Sequence, residues 1–170
     1  EREFRGFGRV DQLDTEDFAA FQAAGGPPSE NWDVGSNVPP VLTKTWFHTG
    51  VYLAGGRISR HLEHEYFAAP DAPVRLDDTI LPRGLTPFEA REACRALKGA
   101  MLRQEVYALD GSDLAAMPYS AVESNFTIAP LQPKAGNRYA VFFTHPREAV
   151  TLSFERDATD PRIGHALTRK

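Results

Sequence analysis

His61-Leu-Glu-His64 is the best-spaced candidate for chemistry in this chain. Residues three apart share a helix face, so both imidazoles could aim at one metal ion, with Glu63 and Glu65 supplying carboxylates nearby. The pattern is not H-E-x-x-H, which needs histidines four apart and a glutamate general base. A third ligand, such as His48, would have to come from elsewhere in the fold. The plainer reading of His61 and His64 is a solvated helix surface, and no metal or cofactor is expected.

Other reactive groups fare no better. Glu63-His64-Glu65 also spells the Glu-x-Glu of ADP-ribosyltransferases, but the early-strand arginine and the Ser-Thr-Ser strand that accompany it are missing. Cys94 falls midway along an apolar helical stripe, where a thiol behaves as a small hydrophobe. A nucleophile needs an exposed, electropositive setting with a base in reach. His145-Pro146-Arg147-Glu148 reads as a turn between two strands, with Pro146 at its first position and His145 fixing it by hydrogen bonding. There is no Gly-x-Ser-x-Gly elbow and no phosphate loop. Trp46 and Phe47, with Trp32 upstream, are either core or an exposed aromatic binding patch. Core is the preferred place for Trp46.

The elements that would position these groups are mostly strands. Arg2 to Leu13 reads as a short bent strand, and Asp14 to Ala24 has helical spacing. Residues 25–40, rich in Gly, Pro, Asn and Ser, form a loose loop. Val41 to His48 is a strand, Ile58 to Ala68 a short helix or irregular turn, and Ala69 to Gly84 coil. Thr86-Pro87-Phe88-Glu89 carries the capping box with proline at the first helical position. Ala90, Cys94, Leu97 and Met101 then recur at helical spacing, predicting an amphipathic helix over about 86–102. Beyond Arg103 the period changes to two. Val122 to Ile128, Arg138 to Thr144, Ala149 to Glu155 and Ile163 to Thr168 complete the strands. The expected fold is α+β and β-dominated, an antiparallel meander with one long amphipathic helix, in a single domain over 1–170.

Composition narrows the function classes. Hydrophobic residues make up 42% and charged residues 25%, with a formal net charge of −4. That balance argues against nucleic acid or an anionic membrane surface as partner, since both reward clustered Lys and Arg. No apolar stretch approaches the ~20 residues that span a bilayer. One cysteine rules out an internal disulfide framework. A start at Glu1 and a strand-like end read as a piece of a larger protein, which on its own would expose unpaired sheet edges and self-associate.

Longer strings carry more information. Pro39-Pro-Val-Leu-Thr-Lys-Thr-Trp-Phe-His-Thr-Gly50, Glu89-Ala-Arg-Glu-Ala-Cys-Arg-Ala-Leu-Lys-Gly99, Leu102-Arg-Gln-Glu-Val-Tyr-Ala-Leu-Asp-Gly111 and Phe142-Phe-Thr-His-Pro-Arg-Glu148 resemble the middle-to-C-terminal region of the B component of bacterial Tc insecticidal toxin complexes, the SpvB-like family. The resemblance covers most of the chain and is hardest to follow over Gly25–Val38 and Ile58–Arg75. It implies a non-catalytic piece of a larger β-shell, whose partners are the rest of its own chain, the toxin C component and the pore-forming A component. The assembled toxin would be secreted after synthesis in the bacterial cytoplasm. The resemblance supplies no catalytic residue. Two other function classes remain beside it: an extracellular protein- or glycan-binding module built on Trp32 and Trp46, and a histidine-dependent hydrolase or transferase.

Overall fold

The computed structural model describes residues 3–14, 24–26, 39–53, 57–69 and 75–168. Most of the helix expected at Asp14 to Ala24, most of the 25–40 loop and Trp32 lie outside the described residues. Six strands, β1 (Arg9–Leu13), β2 (Val41–Phe47), β3 (Met101–Ala108), β4 (Ser120–Gln132), β5 (Val141–Ser153) and β6 (Arg162–Leu167), form one antiparallel sheet in the order of the sequence. Among the described residues, the fold is therefore the strand-dominated meander that the spacing predicts, with one α-helix.

One long excursion, from His48 to Ala100, separates β2 from β3 although the two strands pair throughout. It carries a strap, residues 57–69, with a short 3₁₀ turn at Glu63–Glu65, and the helix α1 (Pro87–Arg95). Residues directly opposite one another in a ladder project from the same face. The row Arg9, Trp46, Arg103, Glu123, Val150 and His165 therefore shares one face, and so does the row Asp11, Lys44, Glu105, Ala121, Leu152 and Ile163. The strap lies over this face, joined to it by contacts from Glu65, Tyr66 and Phe67.

The start of α1 follows the local code. Thr86 accepts a hydrogen bond from the Glu89 amide through its hydroxyl, and the Glu89 carboxylate in turn accepts from the Thr86 amide. The helix ends earlier than its apolar stripe suggests, at Arg95 instead of about residue 102. From there the amides of Leu97, Lys98 and Ala100 bond three residues back, tightening the chain. Gly99 then takes a φ of 83°, which favours glycine, and sends Met101 into the strand opposite Phe47. Ala93, Cys94 and Leu97 bury against Ile58 and Ile128, with Phe126 and Phe142 alongside.

A second correction concerns His145-Pro146. The expected turn is absent, and β5 runs unbroken through it for 13 residues. Proline cannot donate to a ladder, so it belongs at edges and irregularities. Both conditions hold here. The register with β4 slips between Asn125↔Glu148 and Phe126↔Pro146, leaving Arg147 as the extra residue. On its other side, β5 pairs with β6 only from Glu148 onward. The outer half of β4 is an edge in the same sense, because β3 pairs only with Ser120 to Glu123. Ile80 covers it in part, through a single bridge to Thr127.

Candidate functional site

The densest polar arrangement lies under the strap and involves residues that sequence spacing did not single out. Arg103, Glu105 and Tyr107 alternate on β3, so a period of two puts all three on the covered face. Glu105 is completely buried. Its carboxylate accepts from Arg103 Nε at 2.7 Å, Tyr107 Oη at 2.6 Å and the Phe67 amide at 2.9 Å. Arg103 turns another nitrogen to Glu123 at 2.8 Å and stacks its guanidinium over Tyr66. Burial, and then the hydrogen bond to Glu105, push the Tyr107 hydroxyl upward, so it stays a neutral donor.

Trp46 extends the arrangement toward β1. It is fully buried, and its Nε1 donates to Glu65 at 3.0 Å while its ring meets Tyr66 edge-on at 5.0 Å. Arg9 lies over the indole, and Lys44 lies over Tyr107. Phe47 is half-buried.

The upstream end of the strap is tied down separately. The Asp78 carboxylate accepts from the amides of Ile58, Ser59 and Thr79, and the hydroxyls of Ser59 and Thr79 bond to each other. His48 is buried, and its Nδ1 accepts from the Gly50 amide at 2.9 Å. That contact leaves the proton on Nε2, which donates to the Ile58 carbonyl at 2.8 Å. His61 reaches the same carbonyl through Nδ1 and meets the His48 ring edge-on at 5.3 Å.

This geometry has a pH signature. Burial, followed by the neighbouring His61, lowers the His48 pKa from 6.5 to about 4. The unfolded chain takes up this proton before the folded one does. The stability from neutral His48 is therefore complete above pH 6.5 and falls away between 6.5 and about 4. The expected loss is on the order of 3 kcal/mol, at 1.36 kcal/mol per pH unit. Denaturant midpoints across that range should drop in the native chain, with a flatter profile in His48→Gln. Parallel profiles for the two would contradict this role.

The remaining candidates do not gather at one place. The His64 side chain is 73% exposed, with Nε2 4.0 Å from Glu65. Glu63 is taken up by Arg57, Arg60 and Arg75. The histidine pair that the structure brings together is His48 and His61, rather than His61 and His64. His145 sits in β5 with Nδ1 near the Pro146 carbonyl, and His165 reaches Glu148 from β6. Burial pushes the Cys94 thiol up to about 11, which keeps it protonated and unreactive at neutral pH. Among the described residues, no group of three or more His, Cys, Asp or Glu is placed to hold a metal ion. No described helix is long and apolar enough to cross a membrane.

Glu105 accepts from three donors, one of which, Arg103, also binds Glu123. Such a group holds backbone in place. What the arrangement does is fasten a long excursion to a sheet. The two outermost strands are its counterpart, since every residue of β1 and of β6 is exposed.

Comparison with known proteins gives this arrangement a context. Residues 92–170 match the family model described as the insecticide toxin TcdB middle/C-terminal region. No curated protein matches the chain by sequence. Among solved structures, the chain is similar to a crystal structure of TcdB2–TccC3, with 28% identity and a TM-score of 0.78 over 98% of this chain and 8% of that one. The Photorhabdus luminescens Tc holotoxin pore matches with 29% identity and a TM-score of 0.77, over 98% of this chain and 7% of that one. TcdB2–TccC3 without its hypervariable C-terminal region gives 31% and 0.74, with coverage of 98% and 8%. The chain thus spans less than a tenth of the length of each of these structures.

Proposed function

We propose, since residues 92–170 match the family model of the insecticide toxin TcdB middle/C-terminal region, that this chain is a non-catalytic wall segment of a Tc-type toxin B component. In this role it contributes strands to the β-rich shell that encloses the toxic C component and supports docking on the pore-forming A component. The assembled toxin acts outside the bacterium that makes it.

The observation that carries this reading is the pair of exposed edge strands at the two ends of an open meander. A wall needs a sheet that can continue at both ends, and an unpaired edge is a template for another strand. The buried polar network supports the same role. It makes a long excursion rigid without leaving a reactive group in a cleft. The resemblance to structures of TcdB2 with TccC3 supports a C component as its neighbour.

The test uses the full-length toxin subunit. Ile163 and Leu167 project from exposed β6 with about half their surface open, 46% and 53%. Replacing both with lysine should leave the thermal stability of the isolated segment nearly unchanged, because exposed sites tolerate such changes. The same pair should reduce recovery of the B–C complex at least about tenfold, the equivalent of 1.4 kcal/mol. Normal recovery of the complex would sink the reading. The isolated native segment should also associate with rising concentration in sedimentation, through the same edges.

A further inference from the structure

Beside the Arg103–Glu105 network is a cavity of about 30 Å³, whose lining includes Arg60, Glu63, Tyr66, Arg103, Glu123 and Asn125. That volume suits roughly two water molecules, at ~10–15 Å³ each. It is far below what an organic ligand needs. Three guanidinium groups in the lining, of Arg60, Arg75 and Arg103, are matched by three carboxylates, of Glu63, Asp77 and Glu123. With charges balanced, the walls select neither an anion nor a cation.

Tyr66 supplies the second observation. Its hydroxyl is buried and has no hydrogen-bond partner among the described residues. Burial pushes its pKa upward, with the Glu123 carboxylate next in effect and Glu105 and Glu63 adding to it. The hydroxyl is therefore a neutral donor sitting in the field of carboxylates that it does not touch. Leaving such a group unsatisfied carries the full desolvation penalty, and native folds almost always find it a partner.

We propose that this cavity is a built hydration site: an ordered water accepts from Tyr66 Oη and donates to the carboxylate of Glu123 or Glu63. With Glu123 as the acceptor, the water joins the strap to β4, beside the direct tie from Phe67 to Glu105. The inference concerns the folded segment alone and is independent of the role in assembly.

A high-resolution crystal structure of the chain and of Tyr66→Phe tests it. The expected result is an ordered water at about 2.8 Å from Tyr66 Oη, with a second contact on one of the two carboxylates. In the phenylalanine variant, which keeps the ring and its packing, that water is lost or displaced. In solution, magnetisation transfer from long-lived water to the Tyr66 ring should appear in the native chain. A direct hydrogen bond from Oη to a carboxylate, with the cavity closed, overturns the proposal. So does a dry cavity, or a water that stays in place without the hydroxyl.

Discussion

Glu105→Ala should destabilise the chain by about 3–5 kcal/mol, the largest effect expected of any single charged residue here. The reason is the neighbourhood that the carboxylate leaves behind. Arg103, Tyr107 and the Phe67 amide all donate to it, and the Arg103 side chain is only 6% exposed. Removing the acceptor leaves these donors without it, and only Arg103 keeps a carboxylate partner, Glu123. A folded domain has about 5–15 kcal/mol in total, so the change takes a large share. Urea denaturation reads it directly, as a fall in the midpoint at unchanged slope. Hydrogen exchange at the Phe67 amide should accelerate as well, because that amide loses its partner. The double change Arg103→Met with Glu105→Leu should recover part of the loss, since it removes both charges together. A loss below about 1 kcal/mol in the single variant would mean that the network is not buried as described.

Trp46→Ala is expected to cost a similar amount, about 3–5 kcal/mol, for a different reason. The indole is wholly inaccessible and is packed against Tyr66, which meets it edge-on, with Arg9 over its ring. Alanine leaves a void that a sheet and a tethered strap cannot easily close. It also strands the Glu65 carboxylate that accepts from the indole nitrogen. Trp46→Phe separates the two effects, because it restores most of the packing but not the hydrogen bond. Phenylalanine should therefore recover more than half of the alanine loss. If alanine changes the unfolding midpoint little, Trp46 is on a surface, and the aromatic-patch reading of Trp46 and Phe47 returns.

Legibility in the sequence followed the range of each interaction. The α1 cap was readable because Thr86 and Glu89 satisfy each other within one turn. The strand content and the antiparallel meander were readable from period-two alternation between turn residues. The end of α1 was not, because Met101 continues the apolar stripe that the chain abandons at Gly99. Pro146 misled for a related reason. Its missing donor usually signals a turn, but here the neighbouring strand slips by one residue and β6 stops short, so nothing needs that donor. The network under the strap was least visible. Arg103, Glu105 and Tyr107 alternate as solvated strand residues would, and the amide that completes Glu105 lies 38 residues away. Residue type and spacing offer His48 as a metal ligand or a catalytic histidine, whereas its partners are the Gly50 amide and the Ile58 carbonyl.

The central claim is that this segment is one stretch of a continuous wall. A structure of the full-length subunit bound to its C component, with hydrogen bonds traced outward from β1 and β6, tests it most directly. The account predicts that both edges pair with flanking strands of the same shell, with the strap still fastened through Glu105. Edges left in solvent, with the segment standing outside the shell as an appendage, would contradict it.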